Sequence, residues 1–313
     1  MSTTSTKASR RRSPRARVAH RCGTVAIVGR ANAGKSTLLN LFMDTKLAAV
    51  SPRPQTTWHR ILGVKTGDTY QALFLDTPGL MYKTADDLDR HMLQQSLSAL
   101  QEADLVVLMV VPRPSDRIEE RILGDLREGE KRCILAINKV DLAPKESLLP
   151  IMEEYSKLYP FLEIVPISAL RKDGTDVLLD LIARNLPLGK PLYPKDEMTD
   201  RPERFLVAEA IREKLFRLYR QEVPYFCAVE IEEFREAEPP ERKKVYISAL
   251  IYVDRDSQKG ILIGKGGEAL KRVGTEARRD VEALLGQPVF LELQVKTRPG
   301  WRRDPDLLME LGY

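Results

Sequence analysis

Two styles of hydrophobic patterning follow one another along the chain. From Thr24 onward, short continuous apolar runs alternate with longer stretches whose apolar residues recur every three or four positions. The runs at 24–28, 61–65, 72–75, 105–111, 133–137 and 164–166 predict strands, and the stretches at 35–43, 90–100, 116–127, 146–158 and 175–184 predict amphipathic helices. Apolar runs without polar alternation are strands buried on both faces. Their alternation with helices predicts an α/β unit with a doubly wound, mostly parallel sheet. Ligands of such a sheet sit at the carboxyl ends of its strands.

The pattern breaks at 186–201, where Pro187, Gly189, Pro191 and Pro194 predict a linker. Beyond it the order changes. A strong helix at 204–220 precedes strands at 227–234 and 244–253, helices at 257–263 and 268–285, and an alternating strand at 289–295. This α-β-β-α-α-β order predicts a separate α+β domain, and no period of 20–50 residues marks a repeat architecture. The expected organisation is a basic tail at 1–21, an α/β domain at 22–185, the linker at 186–201 and an α+β domain at 202–313.

Composition agrees with two globular domains. Of 313 residues, 43% are hydrophobic and 30% charged, and no apolar run is long enough for a transmembrane helix. Cys22, Cys133 and Cys227 lie far apart with no C-x-x-C, which excludes a disulfide framework or a cysteine-type zinc site and fits a reducing compartment. His20, His59 and His91 show no metal-ligand spacing. The net charge of +5 is concentrated at one end: the first 43 residues carry nine Lys/Arg and no Asp/Glu, which leaves −4 for the rest. The tail itself holds Lys7, Arg10, Arg11, Arg12, Arg15, Arg17 and Arg21 among Ser and Thr, a composition that predicts disorder. It has no apolar segment to make a secretory signal. Two readings stand: a solvated basic extension, or an organelle transit peptide.

Chemistry enters at the strand ends. Gly29-Arg30-Ala31-Asn32-Ala33-Gly34-Lys35-Ser36 matches G-x-x-x-x-G-K-[ST] between a predicted strand and a predicted helix, and Thr37 follows. In that setting backbone N–H groups wrap phosphate oxygens, Lys35 neutralises β/γ-phosphate charge and Ser36 ligates Mg²⁺. Asp76-Thr77-Pro78-Gly79 fits D-x-x-G at another strand end, with Asp76 holding Mg²⁺ through water and the Gly79 N–H sensing the γ-phosphate. Asn138-Lys139-Val140-Asp141 fits N-K-x-D. The Asp141 carboxylate accepts two hydrogen bonds from guanine that adenine cannot offer, which selects GTP and GDP. Ser168-Ala169-Leu170 fits the loop that gives a backbone N–H to the guanine oxygen.

These four motifs, in this order, resemble the P-loop GTPases of the translation-factor superclass over about residues 22–185. Within that class, Pro54-Gln55-Thr56-Thr57-Trp58-His59-Arg60 resembles the switch I segment of the Era family. The resemblance implies that Thr57, with Thr56 as the fallback, binds Mg²⁺ and senses the γ-phosphate. Family members usually carry Arg where this chain has Trp58, so no role passes from that Arg. Leu80 follows Gly79 and cannot orient water as the glutamine of Ras-like enzymes does. Asn32 is the candidate to help bind K⁺, as in similar GTPases. The residues with catalytic roles would then be Asn32, Lys35, Thr57 and Gly79. Asn32 also reads as a local turn former. Arg53, Arg60 and His91 are further candidate charge donors, although each reads more readily as a solvated side chain.

In the second domain, Ile263-Gly264-Lys265-Gly266-Gly267 resembles the I-G-x-x-G core of a KH domain, and the element order matches the type II arrangement. Such a turn lets an RNA backbone approach closely. Over 255–303 the chain carries 11 basic and 6 acidic residues. Lys265, Lys271, Arg272, Arg278, Arg279, Lys296, Arg298, Arg302 and Arg303 form the candidate RNA face, with Glu268 and Glu276 positioned to balance part of it. Trp301 either stacks on a base or caps the core. A G domain joined to a KH domain is the arrangement of the Era family of bacterial ribosome-assembly factors. That resemblance implies Mg²⁺-dependent GTP hydrolysis, slow without RNA or K⁺. It also implies binding of 16S rRNA near its 3′ end, help in 30S subunit maturation, a monomer in the cytoplasm, and peripheral contact with the inner membrane. The rival readings are a passive RNA-binding module with a structural nucleotide site and an organellar homologue of the same GTPase. A tRNA-modification enzyme would need a further catalytic domain, and a double G domain is excluded by the single P-loop.

Overall fold

The computed structural model describes residues 19–240 and 243–312. The tail as far as residue 18 lies outside the described residues. Arg21, counted above with the tail, instead opens the first strand.

The N-terminal half runs β1 (Arg21–Gly29), α1 (Lys35–Met43), β2 (Ile61–Thr66), β3 (Tyr70–Asp76), α2 (Asp87–Glu102), β4 (Leu105–Val110), α3 (Arg117–Glu128), β5 (Cys133–Ile137), α4 (Leu148–Leu158), β6 (Glu163–Pro166) and α5 (Thr175–Asn185). Its sheet has the order β2-β3-β1-β4-β5-β6. Every pairing is parallel except β2 with β3. Only those two strands are joined by a tight turn, where the Gly67 N–H meets the Tyr70 carbonyl at 2.8 Å; the others need helical crossovers. β4 and β5 are buried at every position, which explains their unbroken apolar runs. On β1 the faces alternate. Val25 and Ile27 pack toward α1 and α5. Ala26 and Val28 pack toward α2, α3 and α4. The carboxyl ends of β1, β3, β5 and β6 carry the four motifs.

The expected linker has no helix or strand, yet it is pinned to this half. The Pro187 carbonyl accepts the Cys22 N–H, and the His20 carbonyl accepts the Gly189 N–H. The buried Gln71 carboxamide holds the backbone of Leu192 and Tyr193, and the Met198 carbonyl accepts the Val64 N–H at 2.8 Å. The strap is thus fixed as far as Met198.

The C-terminal half runs α6 (Glu203–Leu218), β7 (Cys227–Arg235), β8 (Val245–Val253), α7 (Asp256–Ile263), α8 (Glu268–Leu285), β9 (Val289–Thr297) and α9 (Pro305–Glu310). β7 and β8 are antiparallel, and β8 and β9 are parallel. Alternate residues of β8, from Val245 to Val253, pack on α6 and α8. The last helix, α9, has no counterpart among the predicted elements, although Asp304 caps it through the Leu307 N–H and Pro305 starts it.

The two halves meet over a shared cluster. Trp58, Leu88 and Met92 of the first half pack with Phe216, Trp301, Leu307 and Leu308 of the second. Trp301 is fully buried there and donates its Nε1 proton to the Phe226 carbonyl, so it caps this core and is not available to stack on a base. Arg302 drops out of the candidate RNA face, because it pairs with Asp86 and Asp89 across the interface.

Candidate functional site

The loop between β1 and α1 closes on itself. Gly34 has φ +102°, and a Cβ there would lie 2.2 Å from Asn138 Nδ2, so only glycine fits. The Lys35 ammonium is buried and donates to the Gly29 and Arg30 carbonyls at 3.2 and 3.0 Å. Burial lowers its pKa to about 8, partly opposed by the Asp76 carboxylate. The lysine is held over the loop that would cradle phosphates, with weak neutral acceptors as its partners. Gly79 approaches the loop from the other side, where a Cβ would sit 2.6 Å from the Ala31 backbone.

Three oxygens converge beside Lys35. Ser36 Oγ donates to Asp76 Oδ2 at 2.7 Å and shares a hydrogen bond with Thr57 Oγ1 at 2.7 Å. Asp76 is fully buried, its other oxygen has no hydrogen-bond partner, and burial raises its pKa to about 6. A desolvated carboxylate with an orphaned oxygen, next to two hydroxyls, is a donor set that suits a hard divalent cation such as Mg²⁺. Thr56 points elsewhere, to Ser51 Oγ and the Arg53 carbonyl.

Asn32 takes a left-handed backbone, φ +63°, and its amide donates to the Pro52 carbonyl at 2.9 Å, tying the phosphate loop to the segment that carries Thr57. Arg30 turns away to Asp116, the N-cap of α3. Asn138 is a brace: it donates to the Ala33 carbonyl at 2.7 Å and accepts the Ala169 N–H at 2.9 Å, binding the phosphate loop to the loop after β6. Asp141 is exposed and accepts from Ser168 Oγ at 2.6 Å, while Leu170 is 76% exposed. These two loops stand ready to frame a base. The cleft of about 230 Å³ is lined by Asn32, Lys35, Ser36, Thr37, Gly79 and Lys139, and by residues the motifs do not mark, from Ala49 to Arg53. Those five lie on a loop with no regular element, so periodicity carries no signal for them. Arg53 reaches the cleft, whereas Arg60 pairs with Glu102 at 2.7 Å and His91 sits beside Gln95 on α2. Leu80 is buried in the core behind the site.

On the other half, 264–267 forms the turn between α7 and α8, with Lys265 and Gly266 exposed. Ile263 packs against the core and anchors the end of α7. A groove of about 290 Å³ runs from this turn between α8 and β9, edged by Gly267, Lys271 and Arg278 and floored by Leu270, Leu291 and Leu293. Lys271, Arg272, Arg278 and Arg279 are exposed. Arg272 and Arg278 also meet Glu276 and Glu282 one turn on, at 3.2 and 3.9 Å, pairs too solvated to hold either guanidinium firmly. Arg298 is taken up by Asp304 at 2.8 Å.

Comparison with known proteins identifies both kinds of domain. Residues 24–139 match the family described as "50S ribosome-binding GTPase", and residues 222–302 match the KH domain. GTPase Era of Geotalea daltonii is 46% identical over 293 residues, covering 93% of this chain and 97% of that protein. GTPase Era of Lactobacillus helveticus is 45% identical over 291 residues, covering 93% and 95%. Among solved structures, Era in complex with MgGDPNP and nucleotides 1506–1542 of 16S ribosomal RNA superposes with a TM-score of 0.90 at 41% identity, covering 94% of this chain and 99% of that one. An Aquifex aeolicus Era variant bound to GDP·AlF4⁻ gives 0.88 at 42% identity, with the same coverage. A P-loop site and a KH turn on one chain, matched along nearly their whole length by these proteins, place the chain in the Era family of GTPases.

Proposed function

We propose that this GTPase is a switch that binds small-subunit rRNA near its 3′ end and assists 30S subunit maturation. The observation that carries the switch is the convergence of Ser36, Thr57 and Asp76. Thr57 lies on the loop that also contacts the second half, so whatever holds Thr57 is felt there. The rRNA reading draws support from the relative bound to 16S rRNA and from the open groove beside 264–267.

In this reading Lys35 neutralises the β/γ-phosphates, the backbone of 29–34 donates to phosphate oxygens, and the Gly79 N–H approaches the γ-phosphate. Ser36 and Thr57 hold Mg²⁺, with Asp76 behind them. When bound, the ion draws charge from the phosphates and weakens the bond to the leaving oxygen. The contacts of Thr57 to the ion and the γ-phosphate exist only while GTP is bound, and hydrolysis removes them. Leu80 offers no group to orient water, so turnover by the free protein is slow. Asn32 is proposed to help hold a K⁺ ion that compensates transition-state charge. In this reading the protein acts as a cytoplasmic monomer that contacts the inner membrane peripherally. No helix among the described residues is long and apolar enough to cross a membrane.

The deciding experiment measures GTP turnover in Na⁺ and in K⁺, with and without an RNA of the 16S 3′ end. RNA crosslinking is mapped in parallel with GTP analogue and with GDP. Faster turnover with RNA and K⁺, and tighter RNA binding in one nucleotide state, are expected. No turnover under any condition identifies a passive RNA module, and equal RNA affinity in both states removes the coupling. A full K⁺ response in Asn32→Ala removes that residue's role.

A further inference from the structure

Helix α6 is buried on two sides. Val207, Ile211 and Leu215 face the core of the C-terminal half. On the opposite side Glu209, Arg212 and Glu213 are no more than 4% exposed. Charges this buried require partners, because desolvation otherwise outweighs what they gain. Some of the partners lie on α6 itself, where Glu209 pairs with Arg212 and Lys214 with Glu213, and the rest come from the loop between α1 and β2. One Glu213 oxygen accepts the Val50 N–H at 2.8 Å, and the other accepts from Lys46 Nζ at 2.6 Å. The Arg212 guanidinium, held by Glu209 at 2.7 Å, lies 4.8 Å from the centre of the Trp58 ring. Trp58 also meets Phe216 edge-on at 5.8 Å and donates its Nε1 proton to the Gln55 carbonyl. Segment 50–58, which carries Thr57, is thus gripped near both ends by one helix of the other half.

We propose that α6 is the positioning element of switch I. Glu213 at one end, and Trp58 seated under Arg212 and Phe216 at the other, hold the segment where Thr57 reaches Ser36. The KH half therefore supplies positioning residues for the GTPase site. This rests on the reading of Thr57 as the switch threonine. The physical gain is preorganisation: a loop without helix or strand loses less conformational entropy on binding GTP if it is already held. GDP does not use Thr57, so the clamp favours GTP over GDP. The same arrangement reaches the RNA face, because Lys46 and Lys214 both pair with Asp280 of α8, the helix that carries Lys271 and Arg278.

The test uses the full chain and compares Trp58→Ala, Trp58→Phe, Glu213→Gln and, as reference, Thr57→Ala. Thermal melts check folding. Affinities for GDP and a non-hydrolysable GTP analogue come from competition with a fluorescent nucleotide, and hydrolysis is read in single turnover. Thr57→Ala is expected to weaken the analogue and slow hydrolysis without changing GDP affinity. Trp58→Ala should do the same by roughly tenfold. Trp58→Phe, which keeps an aromatic wedge, should recover most of the loss. Glu213→Gln removes the charge at nearly constant volume and carries the test if Trp58→Ala does not fold. Normal analogue-to-GDP ratios and rates in the clamp variants, beside a defective Thr57→Ala, overturn the clamp alone. Equal losses of GDP and analogue mark a merely structural role and also overturn it. If Thr57→Ala changes nothing, the reading of Thr57 fails and the clamp falls with it.

Discussion

The turns at 29–34 and 264–267 both place left-handed glycines ahead of a helix, α1 in one case and α8 in the other. Around the first turn the protein leaves no room. A Cβ on Gly29 would meet the Met109 carbonyl oxygen at 2.3 Å, and one on Gly34 would meet Asn138 Nδ2 at 2.2 Å. Around the second, a Cβ on Gly266 or Gly267 meets nothing within 4 Å. The phosphate loop is shaped by its own neighbours before any ligand arrives, while the KH turn is packed only at Gly264, where a Cβ would lie 2.7 Å from the Ala269 Cβ, and is open at Gly266 and Gly267. Preorganisation favours tight binding of one small ligand; openness suits a large polymer held by many weak contacts.

The largest effect should come from putting a methyl into the closed turn. Gly34→Ala forces the Asn138 brace aside and strains a positive φ, so we expect nucleotide affinity to fall more than about 100-fold and stability to fall by roughly 2–4 kcal/mol. Isothermal titration with GDP and urea unfolding measure the two losses. Near-normal values would mean that the loop is not preorganised and would dissolve the contrast. The opposite turn is next. Gly266→Asp with Gly267→Asp adds two carboxylates where a phosphate backbone would pass, and RNA affinity should drop roughly 30-fold through like-charge repulsion. GDP affinity, titrated on the same preparation, should move less than about twofold. An unchanged RNA affinity would place the RNA elsewhere.

How much of this contrast is legible in the sequence depends on where each residue finds its partner. Strands such as Leu105–Val110 are readable because burial on both faces leaves an unbroken apolar run. The motif residues are readable because phosphate chemistry demands fixed spacings along the chain. Arg212 and Glu213 are charged residues within a predicted helix, yet they are buried, because Lys46, Val50 and Trp58 cover them from more than 150 positions away. The strap at 186–198 reads as a free linker for the same reason: Gln71, which fixes it, is an ordinary polar residue on a strand. α9 escapes the pattern although its capping Asp304 and leading Pro305 are visible, because six residues are too few for a helical period to register.

A third, smaller effect separates site from scaffold within the closed region. Without Mg²⁺ and nucleotide, the buried Asp76 carboxyl has its pKa raised from 3.8 to about 6. A raised carboxyl pKa means that the folded state binds the proton more tightly than the unfolded state. Its cost is therefore full above about pH 6 and is relieved as pH falls toward 4. Asp76→Asn should stabilise the ligand-free protein by about 1–3 kcal/mol at pH 7.5, with the advantage shrinking at pH 5. Adding Mg²⁺ and nucleotide should reverse the order, since only the carboxylate supports the metal. Thermal melts at both pH values, with and without MgGDP, check the crossing. A variant that is less stable than the natural chain under all four conditions would make Asp76 a structural residue.

The smallest expected change tests whether the open turn, and not the charge of the chain, recruits RNA. Residues 1–18 carry six of the 50 Lys and Arg residues, enough to turn the net charge from +5 to −1 when removed. If the basic extension were the RNA site, its deletion would abolish binding. If the turn at 264–267 is the site, with Lys271 and Arg278 along its groove, specific affinity survives and only the long-range attraction weakens. Removing one Lys or Arg that neutralises a phosphate flattens the dependence of log K on log salt by slightly less than one unit. We therefore expect the truncated chain to bind the 16S 3′ fragment within about threefold of the full chain at physiological salt, with a shallower slope and a larger deficit only at low salt. Filter binding at three salt concentrations reads both quantities. A collapse of affinity at every salt concentration would transfer the RNA site to the extension and leave the turn at 264–267 without an RNA role.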